Sequence, residues 1–329
     1  MFKSFMRLGV VIIFLLSGCQ STEVQNSNAE RADVYEMSED AIIYLSTGFE
    51  FIQNSALERE NVDWNVLREE VFREAYGAIE VADTYPALRM TIARLDDQHS
   101  YLHTSRDIRR NQETVNLPRG EQLSRGISLL AIPTHVDQSY AASRNYILVS
   151  HRIIREEKAS CGWVIDLRGN RGGNQDPMIV SLAPFLPKEL DSYVWSPSNG
   201  VGNLYNSSFA ANGPFSNLFR TSKRLPHYLK DKPVAVLIDG DTGSSGESTL
   251  LQFLGRPNTK VIGSRTSGAS TNIRVLHMSD GAILGVADSY FVDRRGEVYR
   301  RGIEPDIEQG DRDAVDVAIA WLGEFHQCL

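Results

Sequence analysis

Ser244 lies in the run Gly240-Asp241-Thr242-Gly243-Ser244-Ser245-Gly246-Glu247, where a serine could act as a nucleophile. That chemistry needs a base to take the hydroxyl proton and N–H donors to hold the oxygen that becomes negative on the attacked carbonyl. His99, in Arg94-Leu95-Asp96-Asp97-Gln98-His99-Ser100-Tyr101-Leu102-His103, is a candidate base, because imidazole titrates near neutrality. Both residues have ordinary alternatives. Ser244-Ser245-Gly246-Glu247 is also a capping box, and His99 could be a surface or capping histidine. His99 and His103 are spaced as metal ligands can be, but no adjacent glutamate or cysteine completes a set, so no metal is expected.

The flanking pattern says what must position these residues. The unbroken apolar run Val234 to Ile238 reads as a strand buried on both faces, and Leu250, Leu251 and Leu254 follow at helical spacing. Ser244 therefore falls where a buried strand turns into a helix, beside free N–H groups. A second buried strand from Cys161 to Ile165 runs into the glycine turn Arg168-Gly169-Asn170-Arg171-Gly172-Gly173, whose backbone could approach a ligand closely. Before it, Gly126 to Ile132 reads as a strand and Tyr146 to Glu157 as an amphipathic helix, which together predict a right-handed crossover unit.

Read in order, these blocks form a pattern. Asp166-Leu167-Arg168-Gly169-Asn170-Arg171-Gly172-Gly173 comes first, and Thr242-Gly243-Ser244-Ser245-Gly246-Glu247 about seventy residues later. With Lys260-Val261-Ile262-Gly263 and Gly302-Ile303-Glu304-Pro305-Asp306-Ile307, they resemble the C-terminal processing, or tail-specific, serine peptidases from about His99 to Asp306. The resemblance implies an α/β (α+β) fold related to the crotonase and Clp-protease superfamily. Its core would be a mixed β-sheet of β-β-α units, here with an N-terminal helical bundle and a small cap insertion. It also implies Ser244 as nucleophile and an oxyanion hole from the N–H of Ser245 with that of Gly172 or Gly173, each such donor being worth about 3 kcal/mol. No metal or organic cofactor is implied.

Members of the family that use a serine–lysine dyad carry the lysine after Thr-Phe-Gly. This chain reads Thr266-Ser267-Gly268-Ala269, with alanine in that place, and Lys260 on the preceding strand is a poor substitute. His99 matches the histidine of other branches. Glu297, Asp96 and Asp97 are candidates for a third, orienting acid, though none stands at a clean family position. The residues between His99 and Cys161 are taken up by a basic connection over 105–125, a strand and a helix, which leaves no room for a PDZ insertion. The chain looks like the PDZ-less, His–Ser branch of anchored peptidases that trim the tail of a cationic lantibiotic. The rival from another class is a non-catalytic peptide- or small-ligand-binding protein on the same fold. An acyl-coenzyme A enzyme is a weaker one.

The chain opens with Lys3, Arg7 and the apolar run Leu8 to Leu16, short of a membrane span, and continues Leu16-Ser17-Gly18-Cys19. This resembles the bacterial lipobox. Residues 1–18 then read as a lipoprotein signal peptide, Cys19 as the lipidated membrane anchor and 19–32 as a polar tether, with outer-membrane retention facing the periplasm implied by Gln20 and Ser21. Residues 33–98 read as a helical bundle and 99–329 as the peptidase core, with 174–231 a candidate cap or lid. Within that insertion Pro177 to Leu186 reads as a helix, Tyr193 to Trp195 as a strand and Gly200 to Phe219 as a loop. Further on, Ile273 to Met278, Ile283 to Val286 and Ser289 to Val292 read as strands, and Asp313 to Phe325 as the closing helix.

Loss of Lys3 and Arg7 with the signal leaves 32 basic residues against 42 acidic ones, and no basic stripe that argues for nucleic acid. Residues 30–74 hold twelve acids and four arginines, so the bundle carries most of the negative charge. A solvated face is the default reading, and attraction of cationic peptides a second. In that second reading the peptide body follows the bundle and its terminal carboxylate meets the arginines of 106–125. An oxidising compartment would permit a bridge between Cys161 and Cys328, but two cysteines are not a framework, and free thiols are the favoured alternative. Oligomeric state is not legible.

Overall fold

The chain enters through three helices, α1 (Glu39–Ser55), α2 (Trp64–Glu74) and α3 (Tyr85–Ala93). Ser38 caps α1 by accepting the Ala41 N–H, and Asp63 caps α2 by accepting those of Asn65 and Val66. The computed structural model describes residues 36–112, 116–124, 126–186, 192–196, 200–205, 229–310, 313–326 and 328. The leader, Cys19, the tether and most of the candidate lid lie outside these residues. Among them no helix is long and apolar enough to cross a membrane.

After the helices come β1 (Tyr101–His103), α4 (Ser105–Gln112), β2 (Arg119–Ser124), β3 (Ile127–Ala131), α5 (Tyr140–Glu156), β4 (Gly162–Asp166) and α6 (Gln175–Leu182). They are followed by β5 (Ser192–Ser196), β6 (Gly200–Tyr205), β7 (Val234–Ile238), α7 (Ser245–Leu251), β8 (Thr259–Gly263), β9 (Thr271–His277) and β10 (Ile283–Val292). Short strands β11 (Val298–Tyr299) and β12 (Ile307–Glu308) and the helix α8 (Ala314–His326) complete the order. The fold is mixed α/β with two sheets.

One sheet has the order β12-β8-β7-β4-β3-β2, parallel except for the antiparallel edge strand β2. Its central strands need cover on both faces, which is why β4 and β7 read as unbroken apolar runs. On one face Trp163, Ile165, Val236 and Ile238 pack with Tyr146 and Ile154 of α5, Met178 and Leu182 of α6, and Leu250 of α7. On the other, Val164, Ala235 and Leu237 pack with Ala314, Ala318 and Leu322 of α8. A disulfide between Cys161 and Cys328 ties the chain end to the start of β4, so the cysteines expected to stay free are paired.

The second sheet is built around β10, which pairs antiparallel with β1, β5, β9 and β11, and β6 extends it beyond β5. The helices dock on it. Leu45, Phe49 and Leu88 share a core with Leu102, Leu284 and Val286, while Tyr44 and Tyr85 both donate to the Asp280 carboxylate in the β9–β10 turn. That packing aims the chain leaving α3 at the β1 edge of the sheet.

Several element expectations change. The basic segment 105–125 is not a plain connection but contains α4 and β2, and Gly200 to Tyr205 is a strand paired with β5 rather than a loop. The two strands expected over 283–292 are one, interrupted by a bulge between Ala287 and Ser289 that leaves Asp288 out of the backbone register with β9. Helix α5 starts earlier than its apolar pattern, at Tyr140, because Ser139 caps it by accepting the Ala142 N–H.

Candidate active site

The cleft lies where the two sheets meet, at the C-terminal ends of the parallel strands β4 and β7, the end at which open α/β sheets present ligand sites. It encloses about 1540 Å³ and is walled by the Gly172–Asn174 turn, the Ser244–Ser245 turn, and residues of β1, β9 and β10. Ser244 stands at the tight turn from β7 into α7 with φ 52° and ψ −118°, a conformation L side chains rarely adopt, and it remains half-buried and reachable. A strained strand-to-helix turn of this kind lifts a serine hydroxyl clear of the sheet. The glutamate arm of the capping box is formed, with Glu247 Oε2 accepting the Ser244 N–H at 3.0 Å. The serine hydroxyl has a partner across the cleft as well.

That partner is His99, whose Nε2 lies 2.9 Å from Ser244 Oγ, and whose Nδ1 lies 2.6 Å from Thr271 Oγ1 at the start of β9. With Thr271 accepting from Nδ1–H, the Nε2 lone pair faces the serine proton. Burial pushes the His99 pKa down to about 4, against an upward pull from the nearby Asp97 carboxylate, so the ring is neutral at physiological pH. A neutral imidazole against a serine hydroxyl can accept a proton.

The three candidate orienting acids fare differently. Asp97 accepts the backbone N–H groups of His99 (2.9 Å) and Ser100 (2.6 Å) and the Ser100 hydroxyl, so it shapes the turn that carries the histidine without touching the ring. Asp96 occupies a turn position with φ 52° and makes no bond to the ring. Glu297 belongs to a separate group, its carboxylate 3.4 Å from Arg295 and its N–H bonded to Asp293. The residue against Nδ1 is a threonine, which acid-based reasoning missed. Lys260 lies on β8 and is not among the cleft residues, whereas Ala269 is. His103 does not join His99 in a ligand pair; its ring stacks on Tyr101 with centroids 4.3 Å apart.

Opposite the histidine, the glycine turn presses against the serine turn. A Cβ on Gly172 (φ +95°) would lie 2.8 Å from both Ser244 Cβ and the Ser245 nitrogen, so only glycine permits this approach. Asn170 Oδ1 accepts the Gly172 N–H at 2.9 Å, while His135 brackets the turn, donating its N–H to the Gly172 carbonyl and accepting that of Asn174. The N–H groups of Gly173 and Ser245 have no partner among the described residues. Of the two expected glycine donors, Gly173 is the one left free.

Glu247 proves to be more than a cap. It is fully buried, and Oε1 accepts from Thr266 Oγ1 (2.5 Å), Ser270 Oγ (2.8 Å) and the Gly268 N–H (3.2 Å). Burial raises its pKa, and these donors offset part of that cost. One carboxylate thus joins the serine backbone to the loop that ends in Thr271.

The charged groups around the cleft are not those that composition suggested. None of the described cleft residues comes from the acidic helices, and of the basic segment Arg110 and Asn116 are among them, Arg110 being its one cleft arginine among the described residues. The described cleft lining thus gives the expected path of a peptide body along the bundle no contact.

A hydroxyl, a neutral imidazole and two free N–H groups around one cleft are the parts of a serine acyl-transfer site. A profile of Peptidase family S41 matches residues 136–309, and the chain belongs to that family of serine hydrolases. It is 29% identical over 282 residues to the nisin-resistance protein of Lactococcus lactis subsp. lactis, covering 85% of this chain and 86% of the relative. It is 26% identical over 179 residues to a carboxyl-terminal-processing protease of Synechocystis sp., covering 53% of this chain and 38% of that protein. A solved lipoprotein structure from Streptococcus agalactiae shares the fold with a TM-score of 0.79 at 23% identity, over 86% of this chain and 96% of that one. Peptides or proteins are accordingly its substrates.

Proposed function

We propose that this chain is an envelope-anchored serine endopeptidase that cleaves peptides or proteins near their C-terminus. Ser244 Oγ attacks the scissile carbonyl carbon while His99 Nε2 takes its proton. The C–N bond then breaks as the same nitrogen returns that proton to the leaving amine, and water, activated by His99, releases the acyl group from Ser244. The N–H groups of Gly173 and Ser245 hold the oxyanion through both steps. Thr271 fixes the ring, and the Asp97 carboxylate supplies nearby negative charge when the ring becomes cationic.

The observation that carries this reading is the 2.9 Å approach of His99 Nε2 to a serine hydroxyl held in a strained turn. In the proposed organisation residues 1–18 are removed and Cys19 is acylated. The helices up to residue 98 then carry a core of 99–329, with 174–231 as its cap. The leader sequence supports an outer-membrane site facing the periplasm. The test joins a fluorophosphonate probe with peptide cleavage. The wild type should be labelled and active, and Ser244→Ala should lose both while keeping its fold at a cost of about 1 kcal/mol. A Ser244→Ala protein that still turns over peptide would end the proposal. For the anchor, a fatty-acid analogue should label the wild type and not Cys19→Ala.

A further inference from the structure

The cleft contains a carboxylate that the peptidase steps do not use. Asp176 stands in the first turn of α6, two residues after Asn174, whose side chain caps that helix by accepting the Asp176 N–H. The same turn carries Gly172 and Gly173, so Asp176 enters the cleft from the oxyanion side. Burial pushes its pKa up to about 6, and its carboxylate has no hydrogen bond or ion pair among the described residues.

The other charges of the cleft differ from it. Asp241 is matched by Arg171 at 3.0 Å, both at the exposed rim, and Arg110 is exposed on α4. Among the described cleft residues Asp176 is the carboxylate that is half-buried and without a partner. A group in that state is costly to ionise alone, and an incoming cation that donates hydrogen bonds removes the cost. The cleft is open to peptide, and the cations a peptide offers are lysine and arginine side chains and its amino terminus.

We propose that Asp176 is a specificity-determining residue which receives a lysine or arginine side chain of the peptide substrate. This rests on the cleft being a peptide site, and it moves the source of any cationic preference from the acidic helices to one carboxylate near the glycine turn. The preference is local, so it should survive salt that screens a surface field over about 8 Å.

The test uses an N-acetylated, otherwise uncharged ten-residue host peptide in which one lysine is moved through each position, each peptide paired with its norleucine counterpart. For the wild type, lysine at one position should raise kcat/KM about 10- to 100-fold over norleucine, the range for a hydrogen bond to a charged group. In Asp176→Asn that ratio should fall toward one, with thermal unfolding recorded to exclude a folding defect. Binding of the same pairs to Ser244→Ala, by fluorescence anisotropy, should show the same discrimination and lose it in the double variant. Discrimination in binding without turnover by the wild type would count against the peptidase reading and leave the subsite standing. Equal affinity for lysine and norleucine at every position, or a ratio that Asp176→Asn leaves intact, would overturn the proposal.

Discussion

Thr271 Oγ1 and His99 Nδ1 are 2.6 Å apart across a separation of 172 residues. The contact joins the first residue of β9 to the turn before β1, on neighbouring strands of β10, so the second sheet fixes both ends of the hydrogen bond. A hydroxyl in this position sets the tautomer and orientation of the ring but cannot neutralise an imidazolium as a carboxylate would.

Removing that hydroxyl should slow catalysis without unfolding the protein. Thr271→Val keeps the β-branched shape and should lower kcat by about 10- to 100-fold, in the range found when a group that orients a histidine is lost. Thr271→Ser should restore most of it. If the valine variant works at wild-type speed, Thr271 is only a strand residue.

The pH profile should depart from that of an ordinary histidine. With the His99 pKa lowered to about 4, the acid limb of kcat/KM should fall near that pH and not in the usual range of roughly 6 to 7. The same shift bears on stability. Unfolded His99 binds a proton below its ordinary 6.5 and the folded form only near 4, so its contribution is present above 6.5 and is lost as pH falls through that window. His151, also lowered to about 4 by burial, adds in the same direction. His99→Ala should cost about 10² to 10⁴ in turnover, and Lys260→Met should cost little. An acid limb near pH 7 would contradict the buried, neutral ring.

How much of this was legible follows from the range of each signal. β7, β4 and the turns after them could be read because a strand buried on both faces must be apolar throughout and a tight turn needs glycine. α4 and β2 were missed because their exposed faces are filled by Arg106, Arg110, Arg119 and Glu121, which leave no apolar period. β6 is a glycine-bearing strand whose place comes from pairing with β5, not from propensity. Glu247 was half visible, since the arm reaching back to Ser244 is local and those reaching Thr266, Gly268 and Ser270 are not. Thr271 left no trace, because one hydrogen bond between strands imposes no spacing on the sequence.

The Cys161–Cys328 bridge closes a loop spanning 167 residues and holds α8 over the face of β4 and β7. Joining such distant positions restricts the unfolded chain, and a native disulfide of this kind is worth about 2–4 kcal/mol. Cys161→Ser with Cys328→Ser should therefore lower the melting temperature by several degrees while leaving the Ser244 turn intact. Intact-mass measurement with and without reductant checks the bond itself. Two alkylatable thiols in the untreated mature protein would remove the bridge.

Glu247 is the buried group on which the Ser244 turn and the Thr266–Ser270 loop converge, so its loss should disturb both halves of the candidate site together. Glu247→Gln keeps the volume but replaces one acceptor oxygen with a donor. Either Ser244 N–H or the Thr266, Gly268 and Ser270 group then faces an NH₂ where a carboxylate oxygen stood. A buried donor left without an acceptor costs about 1–3 kcal/mol, so the variant should unfold at lower temperature. Its turnover should fall by about 10-fold or more, because the Ser270–Thr271 end of the loop no longer holds the His99 ring in place. The two effects can be separated by a substitution outside the loop. Ser100→Ala removes the hydroxyl that bonds Asp97 and the Ala287 N–H, loosening the histidine turn and leaving Glu247 intact. If Glu247→Gln and Ser100→Ala lower turnover only in proportion to their loss of stability, Glu247 is a structural cap alone. A fall in kcat for Glu247→Gln well beyond that proportion, measured where both variants are fully folded, marks it as the residue that positions serine and histidine for each other.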